Sequence, residues 1–277
     1  MKKAAVTSVA LFCFLLAASA HAIPINITSS GMEVVDPASF ILHNVLVGPK
    51  LYRVDFSWNP STNLFYPTGY TLEIPAFKAW EYFPLHVGDT WTYRRHDGGI
   101  VTVTIAGIDS ICGVPCMRRE YSTGTKEWWV SDSTGIWLAK VQNPDNSYVL
   151  FCPLKLCNPY TYVGFSKLTP YEDVPIYDPY GTLVGTMTGY FSYTGVAVET
   201  VVTPAGTFMD ARRCNMAQSY TNPWTSNMTT DDIWFSPGVG IVKIMSNDVA
   251  SSGGIMTYSY SEVLLLESAT VGGVSYP

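Results

Sequence analysis

From residue 84 to residue 267 the sequence is a succession of short runs in which apolar and polar side chains alternate, each ended by a turn. In "DTWTYRRHDGGIVTVTIAG", Trp91 and Tyr93 share one face while Thr90, Thr92 and Arg94 share the other. After the "DGG" turn, Val101, Val103 and Ile105 alternate with Thr102 and Thr104. A period of two is that of a β-strand, and two such runs joined by a Gly-containing turn make an antiparallel hairpin. The pattern recurs in "MRREYS", "KEWWVSD", "GIWLAKVQ", "SYVLF", "TMTGYFSYTGVAVETVV", "DARRCNMAQSY", "DIWF", "GIVKIMS" and "MTYSYSEVLLL", with turns at "STGT", "SDSTG", "NPDN", "TPAG", "SPGVG" and "SSGG". Long helical periods are hard to find. The chain is therefore expected to be all-β, or β-rich with minor helix: an antiparallel meander sheet forming a curved half-barrel or a sandwich. Charged residues are 14% and aromatics another 14%, a balance that speaks against disorder.

The first 22 residues, "MKKAAVTSVALFCFLLAASAHA", join two lysines to an apolar run and small residues at Ala20 and Ala22, the pattern of a secretory signal peptide cleaved after Ala22. An exported, periplasmic or extracellular protein is expected. No later apolar run approaches the roughly 20 residues of a membrane-spanning helix, so no integral membrane span is expected. Residues 23–78 alternate as well, with Tyr52, Val54 and Phe56 against Arg53, Asp55 and Ser57 before an "NPST" turn, and are read as a small N-terminal β module. Residues 79–270 form the main domain and 271–277 a flexible tail. Residues 158–182, with five tyrosines and four prolines, show little periodicity and read as the longest irregular stretch.

Charge excludes one class of partner. Without Lys2 and Lys3, 14 basic residues stand against 22 acidic ones, a formal net charge of −8 in place of −6. No basic run exceeds "RR", so nucleic acid and anionic membranes find no electrostatic footprint. After removal of the signal segment five cysteines remain. In an oxidising compartment "CGVPC" and "CPLKLC" read as two local disulfides, from Cys112 to Cys116 and from Cys152 to Cys157, with Cys214 left free or intermolecular. A four-thiolate zinc site is the competing reading, disfavoured by export, by the wide gaps within each pair and by the lack of a nearby histidine.

Catalytic motifs are missing. His43, His86 and His96 lie in separate segments with no H-x-x-x-H pair, "GFSKL" lacks the second glycine of a nucleophile elbow, and no phosphate-cradling glycine loop is present. No catalytic residue, metal site or cofactor is assigned. Asp231 with Asp232, and Glu172 with Asp173, are adjacent carboxylates, but neighbours on a strand point to opposite faces. The aromatic pattern is more informative. If Val130 marks the core, Trp129 is the half-exposed indole of "KEWWVSD". Trp234 falls on the polar side of Ile233 and Phe235, Trp137 joins Ala139 and Val141 in an apolar face, and Trp224 lies in the loop "TNPWTS". Trp129, Trp234 and Trp224 are thus candidates to line a groove for an apolar or glycan ligand. Burial beneath another layer is the alternative fate of such indoles. A non-enzymatic binding or envelope role is expected. A carboxylate-dependent polysaccharide hydrolase and an assembly protein using exposed sheet edges are the rival classes; the oligomeric state is left open.

Three motifs in order, "PLHVGDTWTY", "VVTPAGTF" and "WFSPGVGIVK", resemble those of a widespread class of exported bacterial proteins of unknown function, with the patterns P-L-x-x-G-x-x-W-x-Y, V-x-x-P-A-G-T-F and W-[YF]-x-P-G-V-G-x-V-K. That class is in turn similar to periplasmic curved-sheet proteins of the lipoprotein-carrier LolA/LolB kind, which implies a concave face able to accept acyl chains. The motifs themselves read as corners: Pro204 ends strand pairing, and Gly206, Gly238 and Gly240 suit turns that need positive φ.

Overall fold

The computed structural model describes residues 31–47, 50–75, 77–252 and 255–277, so the expected signal peptide, residues 1–22, lies outside the described residues. The chain divides into two compact units, Met1–Phe77 and Lys78–Pro277. In the first, β1 (Gly31–Asp36), β2 (Ser39–Val47), β3 (Lys50–Asn59) and β4 (Leu64–Pro75) form an antiparallel sheet in chain order. Cross-strand partners Phe40 and Phe56 stack at 4.8 Å between ring centroids, Phe65 meets Phe40 edge-on at 4.9 Å, and Trp58 meets Phe65 at 5.0 Å. One face of this sheet is thus an aromatic cluster, a strong form of cross-strand pairing. The "NPST" turn forms as the sequence suggests, with Asn59 Oδ1 accepting the N–H of Ser61 at 2.9 Å.

After the two-residue strand β5 (Phe77–Lys78) and the single-turn helix α1 (Ala79–Tyr82), the second unit is almost wholly strand. It contains β6 (Thr90–Arg95), β7 (Ile100–Ile111), β8 (Val114–Tyr121), β9 (Lys126–Asp132), β10 (Gly135–Gln142), β11 (Tyr148–Cys157) and the short β12 (Tyr160–Thr161). There follow β13 (Ser166–Tyr177), β14 (Leu183–Thr203), β15 (Gly206–Thr221), β16 (Ser226–Ser236), β17 (Gly240–Ser252), β18 (Ile255–Val271) and β19 (Val274–Tyr276). Leaving β12 and β19 aside, each of these strands pairs antiparallel with its neighbour, and β18 pairs with both β17 and β6. The last two pairings close the ring. The meander is a closed antiparallel barrel of β6–β11 and β13–β18, not an open half-barrel or sandwich; closure removes the edges of this sheet, while β1 and β4 are the edge strands of the four-stranded sheet.

Hairpin geometry assigns the two ends. Strands two apart run in the same direction, so the turns at 112–113, 133–134, 204–205 and 237–239 lie at one end and those at 96–99, 122–125, 143–147, 178–182 and 222–225 at the other. The three sequence motifs converge on the first end. Trp91 Nε1 donates to the carbonyl of Val239 at 2.6 Å and the Tyr93 hydroxyl to that of Ile241 at 3.0 Å. Ala205 N–H donates to Leu266 and Gly238 N–H to Glu81. Gly240, at φ 95°, lies against the Trp91 indole and Pro84, where a β-carbon would stand 3.4–3.5 Å from both in a strained backbone. Asp89, 3% exposed, clamps the corner: its carboxylate accepts the N–H groups of His86 and Gly272 and lies 3.0 Å from His86 Nδ1. His86 is therefore a corner residue. With Phe83, Leu85 and Leu266 packed beneath it, this end is closed.

Three expectations are corrected. Residues 271–277 are not a flexible tail: β19 pairs with the end of β18 through Ala269↔Tyr276 and Val271↔Val274. Residues 158–182 are not irregular throughout, because 166–177 form β13, which pairs along its length with β14. On its other side β13 meets β11 at Tyr148↔Tyr177 and Val149↔Ile176, and lower down Lys167 and Thr169 reach across to the Lys155 carbonyl. That edge-like side is where strand prolines such as Pro170 are tolerated. The disulfide joins Cys112 to Cys152, with Cα atoms 5.4 Å apart, and Cys116, Cys157 and Cys214 are free and buried. The local pairs fail because of side-chain direction. Cys112 sits in the turn of the β7–β8 hairpin, at φ 50°. Cys116 lies in a cluster with Trp128 and Ala139, covered by Ile111 and Val114. The hairpin end thus folds across the outer face of β9 and β10, and the bond to Cys152 on β11 holds it there.

Candidate functional site

Inside the barrel lies a cavity of about 830 Å³. Its middle is lined by alternate residues of the long strands: Val149 and Phe151 of β11, Met187 and Phe191 of β14, Met216 of β15, and Ile244 of β17. The β6–β8 side offers no comparable space among the described residues, because Tyr93, Val103 and Ile105 fill it and are nearly inaccessible to solvent. At the closed end Tyr82 and Phe83 of α1 and its C-terminus form the floor, and at the open end Asn143, Asp178 and Trp224 reach the rim. A volume of this size falls in the range of roughly 300–1,000 Å³ typical of small-molecule sites. Twelve strands fall between the barrels of about eight that hold side chains or one small ligand and the barrels of about sixteen that leave an aqueous channel.

Two of the three candidate indoles line this cavity at opposite ends. Trp129 points inward from β9, its ring 5.2 Å from that of Phe83, and Trp224 stands at the mouth, about half exposed. Trp234 does not reach it. Ile233 and Phe235 take the inward positions of β16, and Trp234 faces out, 5% exposed, beneath Lys243 at 4.3 Å and Arg213 at 5.4 Å, with its N–H donated to the Glu199 carboxylate. Long charged side chains cover an outward indole as well as a second layer would. Trp128 is buried outward in the same way, under the β7–β8 hairpin, with its N–H on Asp109 at 2.7 Å. Val130, which packs with Trp128, thus marks a covered outer face and not the barrel interior.

The polar groups of the cavity are mostly spoken for. Glu127 Oε2 accepts the Tyr121 hydroxyl and the Trp129 N–H, each at 2.9 Å, and lies 3.4 Å from Arg119 Nη1. The Arg119 guanidinium also rests against the rings of Tyr121 and Phe83. A buried ion pair so enclosed holds its geometry, because removing either partner strands the other charge. Arg212 stacks over Tyr82 at 4.7 Å, and burial lowers its pKa from the usual guanidinium range. Nearer the mouth, Asp231 accepts the Ser246 hydroxyl; burial raises its pKa against that hydrogen bond. Its neighbour Asp232 faces outward onto Arg213, so the adjacent carboxylates do separate to opposite faces.

Two free thiols line the cavity toward its closed end. Burial pushes Cys157 up to about 12 and Cys214 up to about 11, and the Tyr193 hydroxyl lies 2.9 Å from Cys214 Sγ. Both are protonated and unreactive at neutral pH. Neither they nor the aliphatic lining could be assigned from the sequence, where residues such as Met187, Met216 and Ile244 look like any inward strand position. The available signal was the length of the alternating runs, because strands longer than a packed core requires leave inward side chains facing one another across space.

No family model matches the chain, and no curated protein matches it. Among solved structures it is similar to a protein of Parabacteroides distasonis provisionally described as a lipoprotein, at 14% identity over 68% of this chain and 97% of that one, with a TM-score of 0.40. A Bacteroides fragilis protein provisionally described as exported, with a YmcC-like fold, is similar at 15% identity over 68% and 98%, with a TM-score of 0.28.

Proposed function

We propose that the chain is an exported, non-enzymatic protein whose barrel binds an elongated apolar ligand of lipid-like chemistry. The observation that carries this reading is the cavity of about 830 Å³ with an aliphatic and aromatic middle. Export rests on the signal-like residues 1–22. Burying hydrocarbon against such walls yields roughly 25 cal/mol per Å² removed from water. A glycan fits less well, because a sugar needs many directed polar partners, and the middle of the cavity offers Val149, Met187, Met216 and Ile244. The carboxylate hydrolase is weakened by Glu127, whose acceptor oxygen is held by Tyr121, Trp129 and Arg119.

The test is a titration of the folded mature protein with a fluorescent polyene fatty acid. Saturable binding, displaced by palmitate and not by a maltooligosaccharide, is expected. Ile244→Trp, which fills the middle of the cavity, should weaken it about tenfold or more. Absence of saturable binding to a folded sample overturns the proposal.

A further inference from the structure

Three hairpin ends lie at the open end on the β13–β18 side: "YDPYGTLV" (177–184), "YTNPWTSNM" (220–228) and the paired ends of β17 and β18, residues 249–252 and 255–258. Among their Asp, Glu, Lys and Arg positions the sequence provides a single residue, Asp178, whose carboxylate is turned onto its own loop and accepts the N–H groups of Tyr180 at 2.9 Å and Thr182 at 2.8 Å. The same tips expose large apolar side chains: Tyr180 is 93% accessible, Met256 66%, Leu183 57%, Trp224 54% and Tyr258 47%. Exposed apolar residues also occur toward the closed end, at Val87, Ile108, Leu168, Val202, Met209 and Val274, but none of these is aromatic.

The tips form one rim. Pro223 and Trp224 pack against Gly185 of the next hairpin, where an added β-carbon would stand 3.1 Å from Pro223. Thr225 Oγ1 donates to the Ser251 carbonyl at 2.9 Å, tying the second tip to the third. Asn222 Oδ1 accepts the N–H groups of Trp224 and Thr225, which fixes the turn that presents the indole. A rim with the single charged residue Asp178, carrying Trp and Tyr among Ser, Thr, Asn and Gly, has the composition of a membrane interface, where amphipathic rings sit at headgroup level.

We infer that this rim is a docking surface for a lipid bilayer of zwitterionic composition. Charge selects the bilayer. The three tips have no Lys or Arg to attract anionic lipid, and Asp178, Asp231 and Asp248 lie at or near the mouth while Arg95, the cation near the third tip, is paired with Glu262, so an anionic surface is repelled. Position supplies the reason for docking. The three tips flank one side of the opening of the apolar cavity, whose other side is formed by the turns at 96–99, 122–125 and 143–147, so a hydrocarbon chain passes between bilayer and barrel along the uncharged side; this route, unlike the docking itself, rests on the lipid-like reading of the cavity. Insertion is shallow, because the tips are short turns whose backbone groups need water or the headgroups as partners.

The experiment is flotation of the full mature protein with phosphatidylcholine vesicles, beside titration with the polyene fatty acid in vesicle-free buffer. Wild type is expected to float, equally well at 1 M salt because no basic cluster takes part. Tyr180→Asp combined with Met256→Asp changes two rim residues that line no part of the cavity. The double variant should partition about tenfold more weakly while binding the fatty acid as wild type does. Wild type that stays with the aqueous phase, or a double variant that floats like wild type, overturns the docking surface. A rim-dependent self-association without flotation would also overturn it, assigning the rim to a protein contact. Rim-dependent flotation with no fatty-acid binding would uphold docking and sink the cavity ligand instead.

Discussion

At the closed end of the barrel the aromatic side chains have directed, distant partners: Trp91 and Tyr93 reach carbonyls 148 residues away in sequence, at Val239 and Ile241. At the open end the N–H groups of Trp224 and Tyr180 are held by Asn222 and Asp178 of their own turns; the Trp224 ring lies against Gly185 and is half exposed, and the Tyr180 ring faces solvent. Both ends come from one meander with the same strand chemistry. The difference lies in how these four rings are held, since long-range bonds such as that from Arg95 to the Tyr260 hydroxyl occur toward the open end as well. One end buries its aromatic side chains in the core, and the other leaves apolar surface at the mouth of the cavity.

Trp91→Ala is the strongest way to break that comparison. It removes a side chain 4% exposed from the cluster of Phe83, Leu85 and Leu266 and strands the Val239 carbonyl. A loss of about 3–5 kcal/mol is expected, read as a lowered urea midpoint at unchanged slope. Trp224→Ala at the open end should stay within about 0.5 kcal/mol. Equal losses at the two indoles would mean that the ends do not differ in the way the hydrogen bonds imply.

How far this division was legible in the sequence depends on the residue. The alternation in "TWTY" and "IVTVTI" marks strands correctly, and the glycines of "SPGVG" mark a real corner. Which face points inward is another matter. Trp128 and Trp129 are neighbours, and both faces of their strand are covered, one by the barrel interior and one by the β7–β8 hairpin, so apolar character could not decide between them. In "GIWLAKV" the register slips between Leu138 and Lys140, so Leu138 and Val141 line the cavity while Trp137 stays outside with its N–H on Thr134 and Lys155 over its ring. A bulge inverts a period of two without changing composition. Ring closure was equally hidden, because pairing of β18 with β6 joins residues about 170 apart, and no local pattern encodes it.

The disulfide sharpens the comparison from the outer wall. Cys112 and Cys152 are separated by 40 residues, and in the chain-entropy account a loop of that length contributes about 2–4 kcal/mol. Replacing both by serine should lower the unfolding free energy by that amount, read as a lower urea midpoint, and increase proteolysis within the 109–116 hairpin end, which covers Trp128. Fatty-acid binding should be unchanged, because neither cysteine lines the cavity. Peptide mapping gives the direct check: a Cys112–Cys116 or Cys152–Cys157 link in the folded protein would refute the staple.

The smallest effect probes how dry the closed end is. Cys157 and Cys214 carry pKa values raised by burial to about 12 and about 11, against 9.0 in a free thiol. A raised acid pKa means that the neutral form is favoured in the folded state. Below pH 9 both states hold the proton and the full stability is present; above it the unfolded chain releases protons that the folded chain retains, so stability falls until pH passes the folded values. From pH 8 to pH 9.5 two such thiols should cost about 1–2 kcal/mol. Urea midpoints across that interval, compared with those of Cys157→Ala combined with Cys214→Ala, isolate their share from that of the buried tyrosines. The variant should show the shallower decline. An identical decline would mean that water reaches the thiols, and that the closed end is no drier than the open one.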